Sequence, residues 1–394
     1  MSKQQALVTP SVMRWARERA KLTLEEAAHR IGRPTEEIEA WEKGEARPSL
    51  AQARNASEAY RRSLAVFYLP EPPEEFDTLK DFRQLPGTET GDYSPELALM
   101  IRQLQCRQDW MREYRLRHGT SRIELVGAAS LSDPPNELAT TIRATLGMSI
   151  QEQFTCIDPR AALNLWVTKS EVCGVCVCRE GKIDLEEARG ISLADDYAPF
   201  IYINANDSYA GRQFTLLHEL VHLWINEPGL SNLTNIKKAP ISPDSATEAF
   251  CNRVAALTLV PPHEFAAEWS KHADEELETR IEIVASRFNV SKEVITRRLL
   301  DTGVISQNDY LRLRALFRDR WIQFKAKQSP GGDYYRSALS FNGHAFTRTV
   351  LGARYSGEIT VREASFVLGV KANNLKRLAE TAGLFVPRQD GGRG

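Results

Sequence analysis

Residues Phe214 to Asn226 read FTLLHELVHLWIN, and His218, Glu219 and His222 within them are the types and spacing that point most directly to chemistry. Histidines four residues apart lie one turn apart on the same helix face, so both imidazoles can reach one metal ion. This His-Glu-x-x-His pattern is the zincin arrangement. Zinc lowers the pKa of water to about 7, and Glu219, next to the first histidine, is placed to take a proton from that water and hand it to a leaving amine. Two ordinary polar histidines fit less well. Leu216, Leu217, Leu220, Leu223 and Trp224 make the helix largely buried, and unpaired imidazoles inside a core are costly.

A catalytic zinc needs a third protein ligand and an open position for water. Glu248 is the best candidate, in the run SATEAFCNRVAALTLVPP, a helix expected to begin near Ser245 and to end before Pro261. Its face, with Cys251, Asn252 and Ala255, is distinct from the apolar row Phe250, Val254 and Leu257. The alternative is a capping box formed by Ser245 and Glu248, in which the carboxylate only bonds a backbone N–H. Asp244, His263 and Glu264 are rivals for the ligand role. For an oxyanion donor, Tyr197, Tyr209, Arg253 and His263 are all conceivable. Cys173, Cys176 and Cys178 resemble half of a zinc site, but no second pair follows, and they read as buried apolar cysteines.

The elements that must position these residues are helices and short strands. Pro135 to Leu146 and Pro159 to Cys173 read as helices, Val175 to Arg179 and Phe200 to Asn204 as strands. At the N-terminus, Ser11 can cap a helix to about Ala20 and Thr23 with Glu26 makes a capping box. Gly32 then turns, and Thr35 can cap a third helix that ends at Gly44. That is a helix-turn-helix pattern. Its second helix offers Glu36, Glu37, Glu39 and Glu42, a poor match to phosphates, although Arg30, Arg33, Lys43 and Arg47 flank it. Tyr68 to Leu79 reads as a linker, and Ser94-Pro95 opens a helix of more than five turns. The expected fold is multidomain and mainly α, with an α+β zincin-like metallopeptidase domain. The segments are a helix-turn-helix domain at 1–70, a linker and helical connector at 71–148, the zincin-like domain at 149–305 and a basic helical domain at 306–394.

The string LTLEEAAHRIGRPTEEIEAWEKGEARPS resembles the Xre/Cro-type helix-turn-helix family. RQFTLLHELVH from Arg212, followed from Glu248 to Pro261 by a Glu-x-x-Cys-Asn start and an Ala-rich helix closed by proline, resembles the ImmA/IrrE family of metallopeptidases over roughly residues 150–303. The resemblance implies that His218, His222 and Glu248 hold Zn2+ and that Glu219 is the catalytic base. It further implies a zinc-dependent endopeptidase-like regulator that cuts or controls an Xre-type repressor. The alternative is a non-proteolytic regulator or antitoxin that binds DNA or a neighbouring toxin, such as a PIN-like ribonuclease, with the zincin fold as scaffold. Val221 stands where the family usually has glycine, which narrows the space beside the metal, and Cys251 replaces its usual alanine.

With 394 residues, 42% hydrophobic and 26% charged, the chain is too long for one small module. No apolar run approaches the ~18 residues of a membrane span, and six cysteines are too few for a disulfide framework. A cytoplasmic protein is expected. The net charge of -1 hides an asymmetry: from Tyr310 onward there are 15 basic against 6 acidic residues, and before it 36 against 46. Within that basic tail, Ile359 to Leu378 is a second helix-turn-helix-like string. Its second helix is expected to carry Lys371, Asn373, Asn374, Lys376 and Arg377, the types that read bases and phosphates. A small bundle that docks a partner protein explains the same string.

Overall fold

The computed structural model describes residues 5–20, 22–60, 62, 64–72, 94–226, 229–231, 243–325 and 333–384, with backbone alone at 229–231, 243–245, 318, 319 and 321–325. The chain divides into two compact units, Met1–Gln103 and Leu104–Gly394. Helices dominate both, and a small sheet in the second unit makes it α+β, as expected. Among the described residues no helix is long and apolar enough to cross a membrane. The expected linker at Tyr68–Leu79 lies outside the described residues from residue 73 onward.

The first unit holds α1 (Pro10–Arg19), α2 (Leu24–Ile31), α3 (Thr35–Lys43), α4 (Leu50–Ala59) and a 3-10 turn at Leu64–Tyr68. The Thr23–Glu26 capping box forms, and Gly32, at φ 71°, supplies the left-handed turn between α2 and α3. Two caps differ from expectation. Thr9 rather than Ser11 precedes α1, two residues earlier, because Pro10 fits the first helical position, and Pro34 rather than Thr35 precedes α3, one residue earlier, as the extended residue at its entry. Val12, Met13, Ile31, Ile38, Trp41, Tyr60 and Phe67 form the core.

The long helix α5 (Pro95–Arg117) crosses into the second unit. There follow α6 (Pro135–Thr145), α7 (Ile150–Thr155), α8 (Pro159–Val172), β1 (Cys176–Glu180), β2 (Gly190–Leu193), β3 (Phe200–Asn204), α9 (Tyr209–Trp224), β4 (Gly229–Ser231) and α10 (Pro243–Leu259). Next come α11 (Pro262–Lys271), α12 (Leu277–Phe288), α13 (Lys292–Asp301), α14 (Gln307–Lys325), α15 (Tyr334–Asn342), α16 (His344–Tyr355), α17 (Val361–Leu368) and α18 (Leu375–Thr381). The sheet order is β1-β3-β2-β4, with β1 parallel to β3 and β2 antiparallel to both β3 and β4. All five residues of β3 are buried, as a strand covered on both faces requires.

Ser208 caps α9 by accepting from Gly211 N, and the helix then runs between β2, β3, α8 and α10. Every residue from Thr215 to Trp224 is therefore buried, polar ones included. On the other side of the sheet, α15 and α16 pack against β1. Gly343 joins them at φ 78°, where a Cβ would sit 2.6 Å from the Val177 carbonyl oxygen, so only glycine fits.

Candidate metal centre

His218 and His222 lie on one face of α9, each 1% exposed, and Glu248 reaches them from the facing helix α10. His218 Nε2 is 3.2 Å from Glu248 Oε2, His222 Nε2 is 3.2 Å from Glu248 Oε1, and the two Nε2 atoms are 3.1 Å apart. Three donors holding one tetrahedral zinc at 2.0–2.1 Å would be about 3.3 Å from one another. The donor set, two imidazole nitrogens and one carboxylate oxygen, thus fits such an ion in both chemistry and spacing. Among the described residues these three form the group that can hold a metal.

Asn252, one turn after Glu248 on the same face of α10, accepts at Oδ1 from His218 Nδ1 at 3.0 Å. With its proton on Nδ1, the ring keeps a lone pair on Nε2, the atom that faces Glu248 and His222. Burial opposes ionisation of Glu248, but the imidazoles of His218 and His222 outweigh it and hold the carboxyl below the usual range. Helix α10 begins at Pro243, so Ser245 lies inside the helix and is not its cap. Of the rival ligands, His263 and Glu264 face each other at 3.9 Å, and the Asp244 side chain lies outside the described residues.

Glu219 is fully buried. Its carboxylate lies against the backbone of β2 at Gly190, where a Cβ would clash with Oε1, stand 2.8 Å from Glu219 Cγ and 2.6 Å from Thr215 Cγ2. Gly190 thereby sets the room for Glu219, a role that a short strand reading GISL gave no reason to suspect. Val221 is fully buried in the main hydrophobic core and Cys251 packs there too. Cys176 and Cys178 are buried, as expected, and burial pushes both thiols up, Cys178 to about 11. Of the conceivable oxyanion donors, Tyr209 starts α9, nine residues and about 13 Å of helix before His218. Its ring carries the guanidinium groups of Arg212 and Arg160. The His263 side chain is 93% exposed.

The two helix-turn-helix patterns differ in how they place their charges. In α3, Glu42 is buried and turned inward, accepting from Arg17 Nε and Nη2 at 2.8 Å each, which corrects its reading as a surface carboxylate. It lies one turn beyond Ile38, on the packed face. Arg30 meets Glu96 at 3.2 Å, Arg33 meets Glu37 at 4.0 Å and Lys43 meets Glu39 at 2.6 Å. In the tail, Thr360 caps α17 and Gly369 turns at φ 63°. Only Lys376 and Arg377 sit on α18; Lys371 precedes a 3-10 turn over Ala372–Asn374, which carries Asn373 and Asn374. The expected single helix is interrupted there because its first residues close i→i+3 bonds. Asn374 Oδ1 accepts from the Tyr335 hydroxyl at 3.3 Å.

Residues 176–300 match the family of IrrE N-terminal-like domains, and residues 13–67 match a helix-turn-helix family. A comparison with curated proteins finds no match. The first match spans the sheet, both metal-facing helices and the pair α12–α13; the second spans α1 to the turn at Leu64–Tyr68. The chain is thus a fusion of an Xre-type helix-turn-helix domain with an IrrE/ImmA-like, metallopeptidase-like domain.

Proposed function

We propose that the protein is a zinc-dependent endopeptidase-like regulator that cleaves or controls a specific partner protein, such as an Xre-type repressor. The observation that carries this reading is the convergence of His218 Nε2, His222 Nε2 and a Glu248 oxygen within hydrogen-bonding distance of one another, one residue from a buried carboxylate at Glu219. A divalent ion held by these three residues supplies Lewis acidity, which acidifies water and polarises a carbonyl. His218 and His222 donate lone pairs, and Asn252 keeps His218 in the tautomer that does so. Glu219 receives the proton of the attacking water at its carboxylate and returns it to the departing amine. Gly190 leaves room for that carboxylate, and the apolar surroundings of α9 keep bulk water away from it.

The test combines metal analysis with cleavage of a candidate repressor. The wild type is expected to carry about one metal ion per chain, and Glu219→Gln to keep the metal while cleavage falls by about 10²–10⁴-fold. A wild type that binds no metal, or cleavage unaffected by the substitution, refutes the proposal. One observation favours a second reading, a regulator or antitoxin that docks a protein: the cations Arg30, Arg33 and Lys43 beside α3 are already paired with carboxylates. A toxin that copurifies and stays uncut with metal present supports it.

A further inference from the structure

We infer that the outer face of α17 and α18 is a surface for duplex DNA. The inner faces of these helices are committed. Ala364, Val367 and Leu368 of α17 and Leu375, Leu378 and Ala379 of α18 are buried. The carboxylates of this region are committed as well. Glu363 accepts from Trp110 Nε1 at 3.4 Å, Glu358 faces His118 at 2.9 Å and accepts from Ser356, and Glu380 pairs with Arg377 at 3.4 Å. The cations turn outward. Arg362, Lys371, Lys376 and Arg377 are exposed. The first three have no carboxylate within 4.0 Å among the described residues.

That division of charge differs from the one at α3, where of the four flanking cations Arg30, Arg33 and Lys43 have a carboxylate partner and Arg47 is exposed without one among the described residues. A polyanion gains from free cations, which displace its condensed counterions, whereas a paired cation must first give up its partner. Asn373 is exposed in the turn before α18, and Phe366 on α17 is 75% exposed, one turn after Arg362. In a helix-turn-helix pair the start of the second helix enters the major groove while the first crosses the backbone. Asn373, Lys376 and Arg377 occupy the groove position, and they are types that contact base edges. Arg362 and Lys371 are placed for phosphates. The chemistry is that of a duplex backbone with base edges rather than of an acidic peptide, because the exposed Asn373 amide offers a donor and an acceptor side by side, which a base edge uses together and a carboxylate uses only in part.

The test uses the full-length protein and a fluorescein-labelled, 24-base-pair DNA duplex of random sequence, followed by anisotropy between 50 and 200 mM KCl. On a duplex of random sequence Lys376 and Arg377 meet phosphates as Arg362 and Lys371 do, and about four such contacts give a slope of log K against log salt near -3.6. The variant K371A/K376A/R377A is expected to bind at least about tenfold more weakly at 50 mM and to lose about 2.7 of that slope. R30A/R33A is expected to match the wild type. Thermal melting and metal content serve as controls that each variant is folded. Unchanged affinity and slope in the tail variant, loss of binding in R30A/R33A instead, or no wild-type binding to the duplex at 50 mM each overturns the inference. So does tighter binding of a single strand of the same length.

Discussion

Glu42 and Glu248 are both carboxylates withdrawn from water, one in each compact unit, and they differ in what faces them. Glu42 receives both of its hydrogen bonds from one guanidinium, Arg17 Nε and Nη2, at 2.8 Å. That bond raises the pKa of Arg17, and the pair is electrically complete. Glu248 faces two imidazoles at 3.2 Å, nitrogen ligands for a metal, and Asn252 Oδ1 orients one of them, the ring of His218, through Nδ1. A carboxylate closed by a fixed cation braces helices, whereas a carboxylate among imidazoles forms a donor set for a metal. Burial alone does not separate structure from function; the chemical type of the partner does.

The strongest way to break the comparison is at its structural end. Arg17→Met leaves the buried Glu42 with only the half-exposed Arg14 guanidinium, at 3.9 Å, to face it and is expected to cost about 3 kcal/mol of stability in the helix-turn-helix unit. Denaturant melting should report that loss, and metal binding by the second unit should not change.

A partly buried carboxylate sharpens the rule, since Glu171 on α8 has neither a hydrogen-bonded guanidinium nor an imidazole as its partner. Backbone N–H groups of His344 and Ala345 and the charge of Arg179 favour its ionised form, but burial outweighs them and pushes its pKa up to about 7. The unfolded value is near 4.3. The folded state therefore holds a proton that the unfolded chain has released between these values, and stability is full below the lower one and lost as pH rises through 7. At pH 8 the loss is about 3–4 kcal/mol. Glu171→Gln should be the more stable protein at pH 8 and lose that advantage near pH 4, as paired melts at the two pH values would show.

The smallest expected effect concerns the support of the donor set. Asn252→Ala removes the acceptor of His218 Nδ1 and is expected to weaken metal affinity by about 10–100-fold, measured by competition with a chelator. An unchanged affinity would mean that packing of α9 alone fixes the ring.

Much of the metal centre was legible in the sequence because it depends on helical periodicity. His218 and His222 share a face at a spacing of four, and Glu248 and Asn252 do the same on the next helix. The first unit was legible through its caps, the Thr23–Glu26 box and Gly32. Features that rest on contacts between distant segments were not. Gly190 stands 29 residues before the carboxylate it accommodates, and Glu171 meets residues more than 170 positions away. The inward turn of Glu42 had a signal, its spacing of four from Ile38, which its charged type concealed.

The account is tested most directly by metal analysis of the full-length wild type beside Glu42→Gln and Glu248→Gln. About one equivalent of zinc in the wild type and in Glu42→Gln, with the metal lost or bound far more weakly in Glu248→Gln, is the expected result. Equal zinc content in all three, or none in the wild type, would contradict it.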